Sequence, residues 1–372
     1  MDKTQANGHQ HDFKNTLLSR LKEIFAKNID DPALRGEAWR LCSKYIGGLW
    51  KAISADDIVI RVQTGGMNNF IFIVSVTESF RKASEEPTAV ILRIYFSEDI
   101  ECTLVDSIIS VILSERGIGP AVLGVFPGGR IEEYIPSRII TNEELCNIHV
   151  GYEVGKILAT VHSLNVAISK ENRLDTVVDE MVSRLRSSSK WKKSHKMRTT
   201  LTKWEENLFP SKITVDLLAE EYELAKRCAA HSGSPVVFTN NDLHEGNLLL
   251  RDGVKITKEG IFGCPTGLAP LVLIDYEYGG YYYRGFDFCH YCCECCQDNT
   301  NEKWPGYRIM EDHWPDDSHQ RRYAEGYLDQ IEMQAEDFPV DAAKYDFFEY
   351  GFDRLAVYYK WKSEMTKYLK LE

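Results

Sequence analysis

The spacing of apolar positions changes period along the chain. Residues 13–27 and 32–45 repeat apolar side chains at helical spacing, which predicts two amphipathic helices. Residues 57–63 then alternate apolar with polar, residues 69–76 are β-branched and aromatic, and residues 88–96 form a third strand-like run. A polar hairpin connection, residues 77–87, separates the second run from the third. Helical periodicity returns over residues 102–116 and stops at Gly117-Ile118-Gly119-Pro120. Two more strands, residues 121–126 and 130–135, are joined by Pro127-Gly128-Gly129. This order of strands, helix and strands predicts a small α+β lobe of roughly 80 residues.

From Thr141 onward the pattern is mostly helical. A long helix is expected over residues 143–164 and another over 217–230. Short apolar strands interrupt them at residues 235–239, 248–250 and 271–274, and the C-terminal third is helical again. Residues 184–203 carry eight basic side chains among serines. They read as a solvated connection or, alternatively, as a patch for an anionic membrane or partner.

Composition narrows the field. The 372 residues hold 44 Lys and Arg against 56 Asp and Glu, a net charge of −12. A surface this acidic argues against a nucleic-acid partner, since phosphate backbones need cations. No apolar run approaches the roughly 20 residues of a membrane helix, so no integral membrane segment is expected. The polar start lacks the apolar core of a signal peptide. Ten cysteines in that context predict thiols in a reducing compartment, hence the cytoplasm.

The segment from Val236 to Leu250 bears the chemistry. A polar loop holds Asp242 and Asn247 between two apolar strands, and 33 residues after Asp242 a third apolar strand ends in Asp275, with Glu277 close by. One such spacing arises by chance in most long chains. A second strand-end acid in the right context is the arrangement phosphoryl transfer needs: a carboxylate to accept the proton of an attacking hydroxyl, an amide oxygen and a carboxylate to hold Mg²⁺ on phosphates.

The first lobe supplies matching parts. Gly65-Gly66-Met67-Asn68-Asn69 lies between two strands, where backbone N–H groups can approach a polyphosphate; alone it could be a simple hairpin turn. Arg93 stands among apolar neighbours two strands on, either as a phosphate-binding cation or as a solvent-facing arginine. An acid on the following helix is expected to pair with it, Asp106 in preference to Glu115.

At these residues the chain resembles the choline/ethanolamine kinase family. The likeness runs through Gly65–Asn69, Ile91-Leu92-Arg93-Ile94-Tyr95, Ser114–Pro120, residues 129–138, Asn241-Asp242-Leu243-His244-Glu245-Gly246-Asn247, residues 273–278 and Tyr283–Phe288, covering roughly residues 30–330. It implies an α+β, bilobal protein-kinase-like fold with a small antiparallel-sheet N-lobe and a mostly helical C-lobe. The implied organisation is a tail at 1–12, a nucleotide-binding lobe with leading helices at 13–137, and a C-terminal lobe with catalytic loop and acceptor site at 138–372. Asp242 resembles the catalytic base, and Asn247 and Asp275, with Glu277, resemble the Mg²⁺ ligands. Gly65, Gly66, Met67, Asn68, Asn69 and Arg93 match the phosphate-binding parts, while Glu133 and Ile135 match the adenine-lining segment. The implied reaction is ATP-dependent phosphorylation of choline or ethanolamine, the first step of CDP-choline phospholipid synthesis, by a dimer of the chain with itself or with a paralogue. Arg284 and Asp287 are expected to form an ion pair that braces the catalytic loop. His162 is expected to pack at a helix end near that loop.

Three departures bear on this. Asn240 stands where the family usually has a histidine, and an amide can still hydrogen bond. Glu133 stands where the family often has an uncharged residue. The family's helix with two tryptophans three residues apart is missing: residues 323–328 run through 329–341 straight into 345–354. Trp304, Phe347 and Tyr350 remain as aromatic candidates for a quaternary ammonium, and Trp361 is assigned to packing. The missing helix leaves open a different small amino alcohol as substrate, or a weakly active or non-catalytic partner subunit. Finally, Cys289, Cys292, Cys293 and Cys296 share a helical face. One rigid helix surrounds a tetrahedral ion poorly, so packing thiols are favoured over a zinc site.

Overall fold

The computed structural model describes residues 31–63, 69–81, 86–95, 100–196, 210–299 and 306–336. The expected tail 1–12, the helix 13–27, the loop Gly65–Asn68, residues 197–203 of the basic stretch, and Trp304, Phe347, Tyr350 and Trp361 lie outside them. The chain divides into two compact units, Met1–Pro136 and Ser137–Glu372.

In the first unit, helix α1 (Pro32–Tyr45) starts at Asp31, whose carboxylate accepts from Ala33 N, with proline at the first helical position. Five antiparallel strands follow: β1 (Ile58–Gln63), β2 (Asn69–Val76), β3 (Ala89–Tyr95), β4 (Val122–Phe126) and β5 (Gly129–Glu133), in the order β1-β2-β3-β5-β4. Helix α2 (Ile100–Glu115) lies between β3 and β4 in sequence. Alternation puts Phe70, Phe72, Val74 and Val76 of β2 beside Val90, Leu92 and Ile94 of β3, and α1 covers them with Leu34, Ala38, Leu41 and Cys42. Trp50 is completely buried there, its indole N–H satisfied by the Pro87 carbonyl at 2.8 Å. The connection 77–87 contains a short helical turn, Glu78–Arg81, that the polar pattern did not predict.

The second unit combines helices with small sheets. Strand β6 (Ser137–Ile139), β8 (Leu248–Arg251) and β9 (Leu271–Leu273) form a sheet in the order β9-β8-β6, and β7 (Val236–Thr239) pairs with β10 (Gly280–Tyr283). The helix expected over 143–164 is two helices, α3 (Asn142–Leu145) and α4 (Ile148–His162). The break has a local cause. Thr141 and Glu144 close a capping box on α3, and Asn147 then caps a fresh helix by accepting from His149 N. Helix α5 (Arg173–Ser187) takes in the first basic residues of the 184–203 stretch, so that part is not a connection. Helices α6 (Val215–His231), α7 (Gly285–Cys295) and α8 (Asp317–Glu336) follow in the described part of the unit. Where α4 meets α8, a Cβ at Gly155 or Gly326 would overlap the backbone of the facing helix, so glycine permits the close crossing.

The described cysteines are free thiols, as expected. Helix α7 buries Asp287, Tyr291, Cys292 and Cys295. Cys293, expected on the packed face, is exposed instead, and Cys295 takes the buried place because the inward stripe turns through Tyr291 rather than Cys289. Among the described residues no helix is long and apolar enough to cross a membrane.

Candidate active site

The catalytic-loop candidates lie between β7 and β8. The chain leaves β7 through Asn240 and Asn241, and Asn241 adopts a left-handed φ of 62°. Asparagine tolerates that region better than most side chains, yet it costs backbone energy and must be held. Asp287, fully buried at the first turn of α7, does the holding. Its carboxylate accepts the N–H of Asn240 and of Asn241, each at 2.9 Å, and lies 3.1 Å from His162 Nε2. His162, the last residue of α4, is fixed from its other nitrogen by the Tyr327 hydroxyl at 3.0 Å. The packing place expected for His162 therefore holds. The Asp287 carboxylate, expected to pair with Arg284, is reached from both sides by the loop amides and by His162 at the α4 terminus.

Asn240 is itself buried and links two chemistry-bearing segments. Its Oδ1 accepts Asp242 N at 3.0 Å, and its Nδ2 donates to the Asp275 carbonyl at 3.3 Å. The amide thus braces the loop, as expected of a side chain that can still hydrogen bond. Asn247 Nδ2 donates to the Asp242 carbonyl at 2.9 Å and to Asp242 Oδ2 at 3.0 Å. That bond orients both side chains. Ile274 N donates to the Asn247 carbonyl at 2.9 Å, tying the end of β9, and Asp275 after it, to the loop. Asp275 also sits at a left-handed φ of 61°, and Glu277 follows two residues on. The structure therefore brings Asp242, Asn247 and Asp275 into one bonded assembly.

Burial pushes the Asp242 carboxyl up from its ordinary value, and the charge of Asp275 adds to the push. His244, His290 and the Asn247 bond pull it back down. Asn247, Asp275 and Glu277 carry, by residue type, the amide and carboxylate oxygens that a hard cation such as Mg²⁺ takes.

In the first unit, Arg93 is 6% exposed, which excludes a solvent-facing arginine. Its guanidinium pairs with Glu132 of β5 at 3.4 Å, and Glu132 also accepts Arg130 Nε at 2.5 Å. Asp106, the expected partner of Arg93, pairs with Arg130 Nη1 instead. Register explains the exchange. Arg93 lies directly across from Arg130, so the next residue on that face of β5, Glu132, sits between both cations. Burial alone would raise the Glu132 carboxyl; Arg130 and Arg93 together hold it down at about 2. Glu132 and Arg130 were missed in the sequence, although the period-2 placement of Arg130 and Glu132 on one strand face was a readable signal.

Glu133 ends β5 with an exposed side chain whose Oε2 accepts Ala121 N at 3.1 Å, and Ile135 is buried two residues on. Asn69 opens β2, at the edge of the glycine loop.

Comparison with known proteins supplies the class. Residues 59–345 match the family described as choline/ethanolamine kinase. The chain belongs to that family. It is 31% identical to choline kinase A2 of Caenorhabditis elegans, an alignment covering 96% of this chain and 92% of that relative. It is 29% identical to a choline/ethanolamine kinase of Homo sapiens over 78% of this chain and 68% of the relative. Among solved structures, a choline kinase from Cryptosporidium parvum Iowa II superposes with a TM-score of 0.62 at 22% identity, covering 90% of this chain and 97% of that one. The fold is therefore the α+β, protein-kinase-like one. As a member of the choline/ethanolamine kinase family the chain is a kinase, with ATP as its phosphoryl donor.

Proposed function

We propose that this kinase transfers the γ-phosphoryl group of ATP to the hydroxyl of choline or ethanolamine. The observation that carries the reading is the bonded assembly of Asp242, Asn247 and Asp275, braced by Asn240 and Asp287. Asp242 accepts the proton of the attacking hydroxyl. Its raised pKa makes it a better proton acceptor than an ordinary surface carboxylate. Asn247 and Asp275, with Glu277, hold Mg²⁺, which when bound neutralises phosphate charge that would repel the nucleophile. Arg93, kept in place by Glu132, and the Gly65–Asn69 loop receive the phosphates; Glu133 and Ile135 line the adenine. Trp304, Phe347 and Tyr350 supply ring faces for the ammonium group.

Family membership supports a wider reading too: a cytoplasmic enzyme at the head of the CDP-choline route to phospholipid, working as a dimer with itself or a paralogue. The test is ADP release from Mg-ATP, measured separately with choline and with ethanolamine. Turnover is expected with at least one alcohol, falling by about 10²-fold or more in Asp242→Ala. Wild-type turnover in that variant overturns the role of Asp242. No turnover with either alcohol, with Mg-ATP still bound, overturns the substrate reading.

A further inference from the structure

Buried charge in the first unit extends beyond the cation assigned to the phosphates. Arg93 and Tyr95 of β3 share a sheet face with Arg130 and Glu132 of β5, because Arg93 lies across from Arg130 and side chains repeat every second residue. Their neighbours Leu92, Ile94 and Ile131 point the other way, into the core under α1. All four are buried, and helix α2 brings Asp106 and Ser107 to them. Two guanidiniums thus stand against two carboxylates, Glu132 and Asp106, in one cluster.

Arg130 is at its centre. Its Nε donates to Glu132 Oε1 at 2.5 Å, and its Nη1 donates to the Asp106 carboxylate and, at 2.7 Å, to the Tyr95 hydroxyl. From Tyr95 the bonds run one way. Ser107 Oγ donates to the Thr103 carbonyl at 2.8 Å, so the Tyr95 hydroxyl donates to Ser107 Oγ, also at 2.8 Å. Arg130 is therefore tied to β3, to its own strand and to the first two turns of α2.

Arg93 is held differently. It joins the cluster by one bond, from Nε to Glu132 Oε2 at 3.4 Å, which leaves Nη1 and Nη2 outside that bond. The shorter bond to Glu132 is the one from Arg130, so Arg130 anchors the carboxylate and the carboxylate orients Arg93. A guanidinium gripped at Nε presents its two Nη groups as a fork, the geometry that takes two phosphate oxygens at once. Charge works in the same direction. Arg130 keeps Glu132 compensated when Arg93 shares its charge with a phosphate, and Asp106 keeps Arg130 compensated in turn.

We propose that Arg130, fixed by Asp106 and Tyr95, is a positioning residue for nucleotide binding. Through Glu132 it aims the Arg93 fork at the phosphates of ATP, and it ties that aim to the start of α2. This role rests on the reading of Arg93 as a phosphate-binding cation, and a double-mutant cycle separates the two.

Mg-ATP binding to the full chain is measured by isothermal titration calorimetry for wild type, Arg130→Lys, Arg93→Gln and the double variant. Lysine keeps the charge but has no planar fork to reach Glu132, Asp106 and Tyr95 together. Each single variant is expected to weaken Mg-ATP about tenfold, the scale of one charge-assisted hydrogen bond. The double variant is expected to match Arg93→Gln within about twofold, since a residue acting only through Arg93 has nothing left to act on. In turnover, Arg130→Lys is expected to raise KM for ATP about tenfold and to leave KM for the alcohol within about twofold, a split that general loss of packing does not produce. The same cycle with Asp106→Asn, expected to weaken Mg-ATP about threefold, decides the matter where Arg130→Lys does not fold. Wild-type Mg-ATP affinity in Arg130→Lys, or losses that multiply in the double variant, overturns the positioning role and leaves Arg93 its phosphates. Wild-type affinity in Arg93→Gln overturns the phosphate reading of Arg93 and the positioning role with it.

Discussion

Replacing Glu132 with glutamine tests whether one carboxylate holds two buried arginines. Arg130 is 3% exposed, Arg93 6% and Glu132 7%. Removing the charge leaves both guanidiniums without that counter-ion in a dry site, and breaking a buried pair from one side costs about 3–5 kcal/mol. An independent route gives a similar figure. A carboxyl held at about 2 rather than the ordinary 4.5 carries about 3 kcal/mol of stability linked to its ionisation. Because the folded value is the lower one, this contribution is complete above 4.5 and disappears as pH falls toward 2. Urea unfolding of wild type and Glu132→Gln, run from pH 7 downward, reads both statements at once. At pH 7 the variant is expected to lie about 3 kcal/mol below wild type. That gap should persist to about pH 4.5 and close below it, since a protonated glutamate leaves the arginines as unpaired as glutamine does. Other carboxylates titrate in both proteins and cancel in the difference. A gap under 1 kcal/mol at pH 7, or one that stays constant down to pH 2, would refute the reasoning.

Further outcomes follow from the same structure. Asp287→Asn turns an amide NH₂ toward a loop N–H, so urea unfolding should show a loss of about 2–4 kcal/mol; kcat should fall with it as Asn241 relaxes from its left-handed backbone, and unchanged kcat would count against the brace. Asn147→Ala removes the α4 cap and the 2.9 Å bond from Nδ2 to the Thr257 carbonyl; calorimetry should show a cost of about 1–2 kcal/mol, a fall in Tm of roughly 3–6 °C. Alanine should act with opposite signs at two helical glycines. Gly326→Ala meets the Tyr152 backbone and should destabilise by at least about 1–3 kcal/mol, whereas Gly36→Ala in α1 meets nothing within 4 Å and should stabilise by about 0.5–1 kcal/mol in urea unfolding.

The sequence by itself determined what depends on near neighbours. Strand β2 and helix α1 stand where alternation and helical spacing put them, because a period of 2 or 3.6 is set by each residue's own stereochemistry. The loop from Asn240 to Asn247 was legible for the same reason: its donors and acceptors are five residues apart, and the Asp242–Asn247 bond closes within that span. Even the break at Asn147 was written locally, in two successive caps that the helical period masked.

The tertiary structure decided the partners. Nothing between Arg93 and Asp106 in sequence reveals that Glu132 takes the arginine; that follows from strand register, which sets residues 39 apart on one sheet face. Asp287 meets His162 because it is fully buried and the last turn of α4 ends beside it. The Cys146 sulfur and the Cys295 carbonyl, 149 residues apart, meet because one helix ends where another begins. Hydrogen bonds and ion pairs act over a few ångströms, so which side chains share them is fixed by packing, and the local pattern carries only the side chains available to be chosen.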